Sequence, residues 1–258
     1  MPKIISIKVS DIRVPTSDTL LGSDPFHKKP NYSCVYTTIK LSNGIEGNSI
    51  CFTSGAGNDW IVFGVRDIAK LLEGYEFSEF MKNPGLIYKL INDHHQLRWL
   101  ADGVNRMALG SIINALWDAW AKVEQKPVWK LLVDMSPQLI INAIDWRYLE
   151  DALTKGEALD ILNENVDAHD DLERSIINKG PKAYSTAGWL GLSDEEISKT
   201  IKKMQAKGFD CFKMKVGQDL NYDKERLSFI RSIIGYESKL MLDCNQVWGV
   251  DEAITYMN

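Results

Sequence analysis

No stretch of this chain approaches the ~18–20 consecutive apolar residues of a membrane span. Its opening, Met-Pro-Lys-Ile-Ile-Ser-Ile, has no apolar core of the secretory kind. A membrane partner is therefore not expected, and an intracellular setting is. Cysteine is scarce: Cys34, Cys51, Cys211 and Cys244 are scattered without a C-x-x-C pair, which fits reduced thiols rather than a disulfide frame or a zinc site. Excess positive charge is missing too. Thirty Lys plus Arg face thirty-five Asp plus Glu, a net charge of −5 with no basic block, so nothing draws nucleic acid to the chain. What is present is the composition of a globular protein, 45% hydrophobic and 25% charged over 258 residues, enough for one large domain or two modest ones.

The order of the patterns favours two. Lys3 to Val14 alternates Ile5, Ile7 and Val9 against Ser6, Lys8 and Ser10, and β-rich runs over Ser33–Leu41 and Ile45–Phe52 flank Ser42-Asn43-Gly44, which predicts a hairpin. Between the first strand and the hairpin, the polar stretch Thr16–Asn31, with Gly22, Pro25 and Pro30, reads either as a functional loop or as a loose surface insertion. The spacing predicts helices over Trp60–Leu72, closed by Gly74, and over Val104–Val123. In the second, Val104, Met107, Ala108, Ile112, Ala115, Leu116, Ala119 and Trp120 share a buried face. Pro127 suits the first turn of a short helix ending at Leu132, and Trp117, Trp120 and Trp129 read as core. These elements make an α+β unit over residues 1–135. From 136 to 258 the rhythm changes. Leu139–Trp146 reads as a strand and Asp160–Lys179 as a charged helical excursion. After Tyr184 comes β-α-β-α-β-α, with Ser193 and Glu196 at capping-box spacing. Such alternation implies parallel strands joined by crossovers, in a doubly wound sheet or a barrel.

Chemistry concentrates on two of these strands. In Cys211–Gly217 the period of two puts Phe212, Met214 and Val216 on one face and Lys213 and Lys215 on the other. On a wet face the lysines would be ordinary solvated groups. A strand between crossovers is buried on both sides, and there each ammonium eases deprotonation of its neighbour, which suits a base. About one βα unit (~30 residues) further on, Leu242–Gln246 brings Asp243 and Asn245 to one face at a strand's carboxyl end, where barrel enzymes place their sites. Their oxygens suit a hard cation such as Mg²⁺; the plainer reading is a helix cap or a turn. A base beside Mg²⁺ is what removal of the weakly acidic proton α to a carboxylate needs, the cation holding the enediolate. If the substrate bears a β-hydroxyl, loss of water then gives a 2-keto-3-deoxy acid.

These motifs, together with Gln96-Leu97-Arg98-Trp99-Leu100, Asn114–Lys122, Pro127–Met135 and Ala187-Gly188-Trp189-Leu190-Gly191, resemble the enolase superfamily in its mandelate racemase and muconate lactonising branch, and within it the L-fuconate dehydratases. The resemblance runs over essentially the whole chain. It implies a capping, substrate-lid domain over 1–135 and, over 136–258, the first βα units of an incomplete (β/α)₇β TIM-like barrel. It implies Mg²⁺ and dehydration of an acid sugar, L-fuconate. It further implies Lys215 as the base, Lys213 beside the substrate carboxylate, Asp243 as a metal ligand and Asn245 close to both metal and substrate. Gly22, Ser23, Asp24 and Tyr32 would lie in a loop that closes over the sugar acid. The mitochondrion is the compartment the resemblance suggests, the cytoplasm otherwise. One departure is expected to matter. Only Tyr184–Asn258 belongs to the repeat, against ~250 residues for a whole barrel, and His27, His94, His95 and His169 all precede the lysine strand. The expectation is an N-terminal portion of a hydro-lyase, inactive or impaired alone. The alternatives are a non-catalytic short form that associates with itself or with full-length subunits, or another acid-sugar dehydratase or racemase.

Overall fold

The computed structural model describes residues 2–97 and 102–257. The Arg98-Trp99-Leu100 part of the motif above lies outside the described residues. The chain divides into two compact units, Met1–Arg13 with Ser33–Ile177 and Val14–Tyr32 with Asn178–Asn258.

In the first unit β1 (Ile4–Val14), β2 (Tyr32–Leu41) and β3 (Glu46–Thr53) form one sheet in that order. β2 and β3 pair antiparallel, Lys40 opposite Glu46, around a turn in which Gly44 has φ +89°, the left-handed conformation that the Asn-Gly signal anticipates. Alternate residues of β2, from Val35 to Leu41, are buried in a core shared with α1 (Asn58–Ala69) and α4 (Asp102–Val123). α4 lies close against β3 because position 47 has no side chain: a Cβ there would run into the Ala115 carbonyl oxygen and the Ala119 backbone. Thr37 and Ser49 both reach the Ser111 hydroxyl, at 2.8 and 3.1 Å. The expected face of α4 is buried at Ala108, Ile112, Ala115, Leu116, Ala119 and Trp120, but Met107 is 39% exposed, since it sits about 100° round the helix from Ala108.

Aromatic packing closes this core. Phe80 of α2 (Phe77–Lys82) meets Trp117 and Trp120 edge-on, with ring centroids 5.5 and 5.8 Å away. Trp129 departs from the expectation. It lies on α5 (Val128–Val133), a six-residue helix that buries only Leu131, and is 51% exposed.

The expected strand over Leu139–Trp146 is instead α6 (Pro137–Ala143) followed by a 3₁₀ turn, Trp146–Tyr148. Ser136 caps α6 by accepting from the Leu139 N–H, and Pro137 opens its first turn. These start signals outweigh the strand propensity of Ile140-Ile141. The charged excursion is two helices, α7 (Lys155–Glu164), begun by a Thr154–Glu157 capping box, and α8 (His169–Lys179). α6 packs on both α3 (Pro84–Asn92) and α7, and this compact unit runs on to Ile177.

The second unit holds β4 (Ser185–Gly188), β5 (Cys211–Lys215) and β6 (Lys239–Asp243), parallel neighbours in that order. α9 (Asp194–Gln205) and α10 (Leu220–Ile234) are the crossovers, and α11 (Val250–Met257) follows β6. The Ser193–Glu196 capping box forms as the spacing requires. Phe212 and Met214 pack with Ile197, Ile201 and Ile230, so this face of β5 is covered, while on the other face Lys215 is buried and Lys213 partly so. Among the described residues the four cysteines are free, and no helix is long and apolar enough to cross a membrane.

Gly47→Val is expected to cost about 1–3 kcal/mol by forcing α4 off the sheet; an unchanged urea midpoint would show that α4 tolerates the extra bulk. A second expectation concerns pH. His169 Nε2 lies 2.8 Å from the Val133 carbonyl oxygen, and this contact, aided by Asp170, holds the imidazole pKa above its usual value of 6.5. Its stabilisation is complete below that value and fades as pH rises through the folded pKa. Amide exchange in α8, corrected for intrinsic rates, should therefore quicken relative to α7 as pH rises above the usual imidazole value of 6.5. His169→Gln should abolish the difference.

Candidate active site

The second unit by itself brings the expected chemical residues together. β5 and β6 run parallel in register, Lys215 beside Asp243, and paired residues of neighbouring strands point to one face. Lys213, two residues earlier, shares that face. The Lys215 ammonium donates to Asp243 Oδ2 and to Asn245 Oδ1, each at 2.7 Å. The Lys213 ammonium reaches the same Asp243 Oδ2 at 3.1 Å and the Tyr184 hydroxyl at 3.3 Å. One carboxylate oxygen thus serves two cations. Lys215 is 5% exposed, with its ammonium 5.5 Å from the centre of the Trp189 ring.

Asn245 reaches back because the chain turns left-handed after β6. Asn245 and Gln246 have φ +49° and +64°, a conformation that non-glycine residues adopt only when the surroundings hold them there. The Asn245 N–H donates to Asp243 Oδ1 at 3.1 Å. Oδ1 of Asp243 thus shapes the turn, the plainer of its sequence readings, while Oδ2 gathers the lysines.

Electrostatics follow. Burial pushes the Asp243 carboxyl up, but hydrogen bonds from Lys215, Lys213 and the Asn245 N–H outweigh it and hold the pKa down to about 2. The Lys213 ammonium loses some ground to burial but gains more from Asp243 and Tyr184, and its pKa is raised. The expected mutual repulsion of the lysines does not lower Lys213, because Asp243 stands between them.

The long connection Thr16–Asn31 belongs to this unit and is not a loose insertion. Thr16 Oγ1 donates to the Pro30 carbonyl at 2.8 Å and Ser17 Oγ to Asn31 Oδ1 at 2.7 Å. Ser23 Oγ accepts from the Gly191 N–H at 2.8 Å, and the Ser23 carbonyl from the Leu190 N–H at 3.2 Å. Asp24 Oδ1 accepts from the Phe26 and His27 N–H groups. The Tyr32 hydroxyl donates to the Gly22 carbonyl at 2.8 Å, and Gly22, with φ +86°, presses so near that ring that a Cβ would collide with it. Ser23 and Asp24 are buried, so the expected sugar-binding residues here hydrogen-bond within the unit. The loop residues that reach the Asp243–Asn245 cleft are Phe26 and His27. With Leu242, Cys244 and Gln246 they line a space of about 560 Å³. Sequence reasoning passed over both, since nothing in Pro25-Phe26-His27-Lys28 sets this histidine apart.

Asp243 Oδ2 and Asn245 Oδ1 converge on a single cation position, now taken by an ammonium, and both are hard oxygen donors of the kind Mg²⁺ prefers. The donor set fits that ion. In the first unit Asp134, His169 and Glu173 also lie close enough to share a metal, but Lys130 pairs with Asp134 and Glu173, each at 2.7 Å, and Lys126 with Asp134 at 2.6 Å. That cluster is an ion-pair network already neutralised.

Comparison with known proteins settles the family. The mandelate racemase / muconate lactonizing enzyme N-terminal domain profile matches residues 23–133, and the enolase C-terminal domain-like profile matches 196–258. The chain belongs to the enolase superfamily. Its architecture is the superfamily's capping domain followed by part of the barrel domain. Mitochondrial enolase superfamily member 1 of Xenopus laevis is 39% identical over 260 residues, covering 99% of this chain and 58% of that protein. L-galactonate dehydratase of Hypocrea jecorina is 36% identical over 98% of this chain and 58% of its own length. The crystal structure of human mitochondrial enolase superfamily member 1 superposes with a TM-score of 0.90 at 38% identity, over 99% of this chain and 59% of that one. L-talarate/galactarate dehydratase from Salmonella typhimurium LT2, liganded with Mg and L-lyxarohydroxamate, shares the fold, with a TM-score of 0.68 at 22% identity over 98% and 55% of the two chains. The chain thus spans somewhat over half the length of the enolase-superfamily relatives it matches.

Asp243→Asn should leave the Lys215 ammonium without its carboxylate, at a cost of about 1–3 kcal/mol in urea unfolding near neutral pH. The carboxylate's contribution is present above its ordinary pKa of 3.8 and lost as pH falls toward about 2. The substitution should therefore also flatten the acid limb of the stability curve. Equal midpoints for the two proteins at all pH values would contradict this account of the cluster.

Proposed function

We propose that this chain carries the base-bearing end of a Mg²⁺-dependent acid-sugar dehydratase, with L-fuconate as substrate and 2-keto-3-deoxy-L-fuconate as product. In this reading residues 1–135 form the substrate-lid domain and 136–258 the barrel portion. The observation that carries it is the convergence of Lys213, Lys215 and Asn245 on Asp243 at the carboxyl ends of two parallel strands. Kinship with an L-galactonate dehydratase supports the reaction class, and the extended sequence blocks support L-fuconate. The names of relatives support a mitochondrial location.

Lys215 takes the α-proton through Nζ. Its near-complete burial beside the Trp189 ring keeps bulk water from the amine. Lys213 remains an ammonium, held charged by Asp243 and Tyr184, and binds the substrate carboxylate. Asp243, with Asn245 beside it, would hold Mg²⁺, which when bound supplies positive charge to offset that growing on the carboxylate as the α-proton leaves. The departing β-hydroxyl takes a proton from solvent and leaves as water, and the enol that remains settles as the 2-keto acid.

The test is α-hydrogen exchange in D₂O, followed by NMR on L-fuconate, L-galactonate and galactarate with Mg²⁺, alongside a colour assay for 2-keto acids. L-fuconate should exchange fastest, with 2-keto acid formed slowly or not at all by this chain alone, and Lys215→Ala should slow the exchange by about 10²-fold or more. Exchange that is absent from all three sugars, or equal in Lys215→Ala, refutes the reading.

A further inference from the structure

The first turns of α10 carry two buried charged side chains that the chemistry above does not use. Arg226 is 4% exposed and Asp223 is 3% exposed. At a spacing of three they could pair along the helix, but each turns to backbone instead. Arg226 Nη1 donates to the Lys215 carbonyl at 2.9 Å, and Nη2 to the Trp189 carbonyl at 3.1 Å, with Gly188 at 3.4 Å. Asp223 Oδ2 accepts from the Gly217 N–H at 2.6 Å. Gly217 has φ +103°, and a Cβ there would come within 2.7 Å of Val247, so this turn is crowded and specific.

The arrangement is incomplete as a hydrogen-bond network. Asp223 Oδ1 and Arg226 Nε are both buried without a partner. Burying charge with unsatisfied atoms is unfavourable, and packed apolar side chains in such places are often as stable or more so. Stability therefore gives no adequate reason for an arginine here. Geometry does. One guanidinium fork binds the carbonyls of Lys215 and Trp189, the two residues whose side chains meet as ammonium and indole ring. The fork fixes the separation of the β4 and β5 ends, and with it the position of the amine; a lysine could not span both carbonyls.

We propose that Arg226, braced by Asp223 on Gly217, is a positioning residue that sets the Lys215 amine against Trp189 and Asp243. The inference rests on the reading of Lys215 as the base, but its test needs no turnover. Pulsed acetylation with an N-hydroxysuccinimide ester, read by peptide mass spectrometry, measures how far the Lys215 amine is held away from reagent. Arg226→Met is expected to raise the Lys215 rate about fivefold or more, the effect of losing roughly one such constraint, while Lys239 keeps its wild-type rate. Arg231→Met is the control: on the same helix Arg231 donates to the Gly235 and Ser238 carbonyls, and its loss should leave Lys215 unchanged. Arg226→Lys should fall between wild type and Arg226→Met, and it decides the matter if Arg226→Met does not fold. A wild-type Lys215 rate in the folded Arg226 variant overturns the proposal, as does an equal rise in Arg231→Met. Protection of Lys215 that depends on Arg226, in a chain that exchanges no acid-sugar proton, would refute the proposed reaction and leave this inference standing.

Discussion

A single carboxylate oxygen, Asp243 Oδ2, takes hydrogen bonds from two ammonium groups, and the rest of the candidate site is arranged around that fact. The other face of β5 is committed to Phe212, Met214 and Val216, all buried, so the lysines are held on the opposite face, Lys215 buried and Lys213 partly so. Two inward cations without a counter-charge would be prohibitive. The in-register parallel pairing of β5 with β6 supplies that charge, because it sets Asp243 beside Lys215. A slip of one residue would turn Asp243 to the opposite face and leave both amines uncompensated.

Much of this was legible before any coordinates. The alternation in Cys211–Gly217 gave the faces, and the β-α-β-α-β-α rhythm gave the double burial that makes a lysine pair informative. The capping signal at Ser193–Glu196 formed as spaced. Register was not legible, since the distance from Lys215 to Asp243 in sequence fixes only that they lie on successive strands. The direction of Asn245 was not legible either, because it depends on a left-handed turn that asparagine tolerates but does not announce. Asp223 and Arg226 look in sequence like an ordinary i,i+3 surface pair. Their burial under the strand ends comes from tertiary packing that no local pattern encodes.

The errors have a common physical origin. In Leu139–Trp146 side-chain propensity favours a strand, but Ser136-Pro137 decides the outcome by satisfying and pre-setting a helix start. Trp129 was read by residue type, while the shortness of α5 decided its exposure. In both places the constraint lay at an element's end rather than in its composition. Helix ends carry the unpaired backbone groups, so the residues that answer them outweigh a run of ambiguous apolar ones.

The loop between β1 and β2 carries the same logic into the site. Its small polar residues, Ser23 and Asp24, are the types expected to meet a sugar's hydroxyl groups, yet their oxygens accept backbone N–H groups of Gly191, Phe26 and His27. Where a loop is buried, as this one is at Gly22–Asp24, it must satisfy its own polar backbone before it can serve a ligand, and short side chains with accessible oxygens are best suited to that work. What such a loop can then offer outward are the larger side chains its tight turn throws clear, and here those are Phe26 and His27 at the rim of the Asp243 cleft. The residues that look most like sugar contacts thus fix the loop's shape, and the positions of Phe26 and His27 follow from that shape.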